Sequence, residues 1–303
     1  MTKLKTTSGI IGALIALNWA GNTWAGNDLY FVTYNHHIAK GELEVMVMND
    51  FTDPSKFKRQ DDGQRSYFSQ MIEVEYGLTD QWAIEPMFEG FEEPSTGRMR
   101  FTGFRFETRY RLFRREVPLN PILYVEYEDL DPLTRFKMEV SGWIRPPYRT
   151  DGAEPDRERI LESRLILSQD FGPLNAAFNW INESDLNESG FTAFGYSLGV
   201  RYDFIKGHYG KRGEGETPAH ADHPHGAAHG TKRERHLPSV GLEFYGGLGD
   251  TQSLALEPTR QEHYLQPVLM LHLSERVMFH LGAAIGLSKA SDNLIRTALA
   301  IEF

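Results

Sequence analysis

The chain has 303 residues, of which 40% are hydrophobic and 24% charged, and it carries a net charge of −10. Its basic runs, such as "FRRE" and "TKRER", are short and flanked by acids, which argues against nucleic acid as a partner, because phosphate binding needs a surplus of Lys and Arg. There is no cysteine, so disulfides, thiolate metal sites and thiol catalysis are excluded, and any metal must be held by His, carboxylate or carbonyl.

Residues 1–25 carry Lys3 and Lys5, the apolar run "IIGALIAL" from Ile10 to Leu17, and "NTWA" before Gly26, with Thr23 and Ala25 as small flanking residues. This is the pattern of a secretory signal peptide. Eight apolar residues are too few to span a bilayer, which takes roughly 20 in a helix. Residues 26–303 are then expected to form one domain. His36 and His37, in "YNHHIAKGE", are expected to be solvated at the periplasmic rim just before the first strand, since adjacent side chains rarely chelate well in extended structure.

Downstream the dominant signal is period-2 alternation broken by turn residues. In "FSQMIEVEYGL", Phe68, Gln70, Ile72, Val74, Tyr76 and Leu78 share one face; Ser69, Met71, Glu73 and Glu75 share the other. The same pattern recurs in Phe104, Phe106, Thr108 and Tyr110 against Arg105, Glu107, Arg109 and Arg111. Strands are expected at 41–51, 66–78, 81–91, 98–113, 119–129, 158–170, 173–183, 190–204, 237–247, 261–273, 276–288 and 294–303. Runs of this length exceed soluble strands, which average about 5 to 6 residues, and suit a tilted membrane crossing. Aromatics near strand ends, including Tyr76, Trp82, Tyr110, Trp180, Tyr202 and Phe204, would form interfacial girdles. The expected fold is therefore an all-β, transmembrane, antiparallel up-and-down β-barrel of twelve strands; fourteen would follow if 134–144 and 28–35 also span.

The last strand, "IRTALAIEF", alternates Ile295, Thr297, Leu299, Ile301 and Phe303 and stops on the aromatic. This resembles the C-terminal signature strand of bacterial outer-membrane β-barrel proteins. The elements "KGELEV" and "IEVEYGLTDQW" also resemble a group of proteobacterial outer-membrane barrels. The resemblance implies an outer-membrane location in a diderm bacterium, contact with outer-membrane lipid, and insertion by the outer-membrane assembly machinery. It transfers no catalytic residue. The twelve-stranded outer-membrane phospholipase type keeps its nucleophile and base in a His and Ser-Asn-Gly context that this chain lacks, so a non-enzyme is expected. His272 and His280 are expected to be hydrogen-bonded lumen residues.

The inward face carries Glu44, Glu73, Glu75, Glu85, Glu89, Glu107, Glu126 and Glu128 with Arg105, Arg109 and Arg111. These could line a selective pore for small solutes or pair across strands into an electrostatic plug. The acidic stretch "NESDLNESG" at 182–190 has oxygen ligands without EF-hand spacing and is expected to be a soluble loop.

Residues 205–236 lose all apolar periodicity and are expected to form a flexible insertion. Within them His220, His223, His225 and His229, with Asp222, could hold Zn²⁺, Cu²⁺ or Ni²⁺. Counting strands back from Phe303 puts this insertion on the periplasmic side, where a metal ion or a periplasmic protein would be its partner.

Overall fold

The computed structural model describes residues 30–56, 65–93, 96–113, 117–131, 157–187, 192–204, 238–274 and 276–303. Twelve strands follow in chain order: β1 Leu43–Asp53, β2 Tyr67–Thr79, β3 Trp82–Glu93, β4 Arg98–Arg111, β5 Ile122–Leu130, β6 Glu158–Phe171, β7 Leu174–Asp185, β8 Thr192–Asp203, β9 Ser239–Asp250, β10 His263–His272, β11 Val277–Gly286 and β12 Asn293–Glu302. Each pairs antiparallel with its chain neighbours, and β12 pairs with β1 from Glu44↔Glu302 to Asp53↔Asn293, closing the barrel. The twelve predicted strands are all present with shifted ends. Residues 30–35 form no strand, and 134–144 lie outside the described residues.

Alternation sorts the side chains into two faces. In β1, Glu44, Met46, Met48 and Asp50 are buried while Phe51 is exposed. The result is an inverted protein: Glu73, Glu85, Glu107, Arg109, Arg164 and Arg296 are buried, whereas Ile72, Phe88, Phe106, Leu165, Leu242 and Leu281 face outward. A soluble sandwich would bury the apolar set. A closed barrel with an apolar exterior and a polar interior is the β arrangement that satisfies its backbone in lipid.

Exposed Tyr76, Trp82, Tyr110, Phe171, Tyr202 and Phe204 cluster at the barrel end that carries Leu43 and Glu302, as an interfacial girdle requires. Trp180 does not join it: the residue sits mid-strand in β7, its Nε1 donating to Asn182 Oδ1 at 2.9 Å. Three of the five connections at this end, Thr79–Trp82, Phe171–Leu174 and His272–Val277, are short, Arg111–Ile122 and Asp203–Ser239 being longer, while at the other end 54–66, 131–157 and 251–262 are long and Glu93–Arg98 is short. Short turns mark the periplasmic end of an outer-membrane barrel. The chain is an outer-membrane β-barrel.

Pro86 and Pro267 lie inside strands without an N–H to donate. Each interrupts one ladder and keeps the other: β2–β3 pairing skips from Glu73↔Met87 to Tyr76↔Ile84, while Pro86 still faces Phe106. The β10–β11 pairing skips from Leu265↔Ile285 to Val268↔Gly282, while Pro267 faces Leu242.

Candidate functional site: the plugged lumen

The residues before β1 enter the barrel. Tyr30 to Ile38 are all buried, although none belongs to a strand. Gly41, in the left-handed region at φ 78°, turns the chain from this segment into β1, and its N–H donates to Gly77 O at 2.7 Å. The segment meets Asn175 near the start of β7, reaches the middle of the wall at Glu243, and returns to Arg111 at the end of β4. It is a re-entrant plug of the periplasmic half of the lumen.

Wall side chains satisfy the plug's backbone. The Glu243 carboxylate accepts the consecutive N–H groups of Phe31, Val32 and Thr33 at 3.0, 2.9 and 2.8 Å, and Gln266 Nε2 donates to the same carboxylate at 2.9 Å. Asn179 accepts from Tyr34 N at 2.7 Å and donates to Tyr34 O at 2.9 Å. Arg164 donates to Val32 O at 2.9 Å, and Arg111 to His36 O at 3.0 Å. Such pairing is what buried backbone demands when no strand neighbour is available.

The plug's rings fit the wall closely. A β-carbon on Gly199 would come within 2.7 Å of the Tyr30 ring, and one on Gly282 within 2.7 Å of Phe31. Two guanidinium groups stand over the Tyr34 ring, Arg109 at 4.8 Å and Arg164 at 4.9 Å, and its hydroxyl donates to Glu107 at 2.8 Å. Burial pushes the hydroxyls of Tyr30 and Tyr34 up, so both remain protonated donors. Phe31 packs against His280 with centroids 6.0 Å apart. The expectation of a hydrogen-bonded His280 is corrected: it is fully buried, and neither ring nitrogen has a hydrogen-bond partner among the described residues.

Two walls surround the plug. On one side Met46, Met48, Met71, Met87, Met270 and Met278 are buried with the plug's Phe31 and Val32 in an apolar cluster. A cavity barely large enough for a water molecule lies between them, lined in part by Met46, Met48 and Glu73. The other wall is ionic. Arg105 meets Glu89, Glu126 and Glu128 at 2.5, 3.2 and 3.5 Å, and Arg109 meets Glu75, Glu107 and Glu85 at 2.7, 2.7 and 3.2 Å. Register explains this, because Arg105 faces Met87 and Glu128 across its two ladders, and Glu107 faces Glu85 and Glu126. Glu73, Glu75, Glu85, Glu89, Arg105, Glu107, Arg109, Arg111 and Glu126 thus all sit buried in the interior, Arg111 turned to the plug and the others in the wall.

Several lumen residues escaped the sequence reading. Arg296 chelates Asp50 with contacts of 2.8 to 3.1 Å, directly across the β1–β12 seam. It was findable as the one charge on the small-residue face of "IRTALA". Glu243, in "GLEFYGG", stands on a face otherwise lined with glycine and aromatics; nothing in its surroundings signals that it grips another segment.

The expectation for His36 and His37 is also corrected. They are 4% and 5% exposed, drawn inward by the plug: His36 N donates to Ser168 Oγ at 2.8 Å, and His37 Nε2 lies 2.9 Å from Asp170 Oδ2. The stretch 182–190 begins inside β7, which runs to Asp185, so its first residues are strand and not loop. His220, Asp222, His223, His225 and His229 lie outside the described residues.

No protein-family model and no curated protein matches the chain. Among solved structures it is similar to an outer membrane channel from Pseudomonas putida F1 (10% identity, 89% of this chain and 98% of that one, TM-score 0.47). It is similar as well to the Acinetobacter baumannii outer membrane protein Omp33 (8% identity, 87% and 99%, TM-score 0.38) and to outer membrane phospholipase A from Escherichia coli (9% identity, 89% and 98%, TM-score 0.38). These likenesses concern barrel shape. The expectation of a non-enzyme is corrected by them: a phospholipase barrel stands beside a channel barrel among the matches, so the fold gives no ground for excluding catalysis.

Proposed function

We propose that the chain is a channel for small solutes across the outer membrane, held shut at rest by its own residues 30–38. The observation that carries this reading is that the plug contributes no strand. The wall is a closed hydrogen-bonded ladder without it, so the plug can leave without breaking a single strand pair. It is attached through side chains of the wall, with Glu243, Asn179 and Arg164 gripping its backbone. Each contact is worth about 1–3 kcal/mol, so loss of one loosens the plug while the wall stays intact.

A second reading has its own support: the clusters around Arg105 and Arg109 could keep the barrel shut with the plug gone, leaving a non-conducting barrel that docks a periplasmic protein. Liposome swelling with small sugars and amino acids separates the two. Slow swelling of wild type and fast swelling of Glu243→Ala support the gated channel; no swelling in either supports the salt-bridged barrel.

Two further parts of the reading rest on sequence. Residues 205–236 join β8 to β9 at the periplasmic end, where their histidines would act as a low-affinity collector of transition-metal ions. The C-terminal aromatic strand would be the segment engaged by the assembly machinery.

A further inference from the structure

His36, His37 and Asp170 bring one ligand atom each, an imidazole nitrogen from either histidine and an Asp170 carboxylate oxygen, within 4.8 Å of one another. Asp170 Oδ2 lies 2.9 Å from His37 Nε2 and 3.3 Å from His36 Nε2. The edge of a tetrahedron with metal–ligand bonds of about 2.0–2.1 Å is about 3.3 Å, so both separations are close to those of ligands sharing one ion. The two imidazoles approach from different directions, with ring centroids 4.5 Å apart and planes at 72°. Adjacent histidines in a plain strand would point apart; the irregular plug backbone turns both onto one oxygen.

The surrounding groups fix these ligands as a metal site's outer contacts do. Ser168 Oγ accepts from the His36 backbone N–H and lies against His36 Nδ1; with the proton on Nδ1, Nε2 would take an ion in place of its present contact with Asp170. His37 N donates to Asn35 Oδ1 at 2.7 Å, and Asn175 Nδ2 donates to the other Asp170 oxygen at 2.6 Å. Arg111, the nearby cation, donates to the carbonyls of His36 and Asp80. The Asp170 side chain is 34% exposed while the histidines are 5% and 6%, so the site opens toward the periplasmic mouth. A solvent molecule could complete the coordination there.

We propose that His36, His37 and Asp170 form a site for a borderline divalent cation, Zn²⁺, Ni²⁺ or Cu²⁺, that ties the plug to β6 and holds the channel shut. Two imidazoles and one carboxylate favour these ions over Mg²⁺ or Ca²⁺, which take all-oxygen sets. Two ligands belong to the plug and the third to the wall, so the ion is a removable cross-link. The binding claim stands on geometry alone; the gating clause rests on the channel reading above.

The test uses the full chain with His208, His220, His223, His225, His229 and His236 replaced by alanine, so that the His-rich segment does not report. Zn²⁺ titration calorimetry should find one site per chain, weakened more than about tenfold by His37→Ala and by Asp170→Asn. Co²⁺ should give the visible absorption of a tetrahedral site, and Asp170→Cys, the sole thiolate in the chain, should restore binding and add a sulfur-to-metal charge-transfer band. In bilayers, periplasmic-side Zn²⁺ should close the Glu243→Ala channel only when all three ligands are present. Zn²⁺ affinity unchanged in both ligand variants, with folded barrels on heat-shift gels, overturns the site. Ligand-dependent binding with no effect on current keeps the site and overturns its gating role.

Discussion

The Phe31 ring lies so close to Gly282 that a β-carbon there would come within 2.7 Å of it. Wall and plug are therefore fitted to each other at this point, and a larger residue in β11 must push the plug away. Gly282→Leu is expected to lengthen channel openings in planar bilayers. Across its two ladders Gly282 faces Val268 and Arg296, both buried, and Gln266 Nε2 lies 3.3 Å from where the β-carbon would sit, so heat-shift gels of Gly282→Leu are run beside the recordings to confirm a folded barrel.

Glu243 holds three successive plug amides at 2.8 to 3.0 Å. Truncation in Glu243→Ala leaves three buried donors without their acceptor, each costing about 1–3 kcal/mol. Hydrogen exchange at residues 31–33 should accelerate by at least about tenfold, while exchange in the strands stays slow. Equal protection in both proteins would show that Glu243 is not the latch.

Arg109 sits among Glu75, Glu85 and Glu107 and is 1% exposed. Removing it strands three buried carboxylates in one pocket, and breaking a buried pair of this kind costs about 3–5 kcal/mol. Arg109→Ala should lower the temperature at which the barrel loses its compact gel mobility, and Arg109→Met should do nearly the same, because lost charge and not lost volume is the cause.

Tyr34 combines a hydroxyl bond to Glu107 with cation–π contacts to Arg109 and Arg164. Tyr34→Phe forfeits the hydrogen bond alone, about 1 kcal/mol, whereas Tyr34→Ala loses the ring too. Protease cleavage within the plug should rank Ala above Phe above wild type; equal rates for Phe and Ala would remove the role assigned to the two guanidinium contacts.

The barrel was legible because lipid outside and charge inside write a period-2 code on every strand, and "TRYRL" or "IEVEY" can be assigned to faces residue by residue. The lumen charges were legible for the same reason. Their partners were partly legible, since Arg105 and Glu128 meet through register that a strand count approximates. The plug was not. "YFVTYNHHI" has neither strand alternation against a lipid face nor helical period, and what fixes its position is a set of contacts to β4, β6, β7 and β9, up to 212 residues distant. Adjacent histidines gave no hint of converging ligands because that convergence depends on a backbone path set by the lumen.

Single-channel recording on wild type and on a chain lacking residues 30–38, refolded into the same planar bilayer, tests the central claim most directly. Plug closure predicts a wild type that is shut with rare brief openings and a shortened chain that conducts steadily. Indistinguishable current from the two proteins, whether steady or absent, would contradict it.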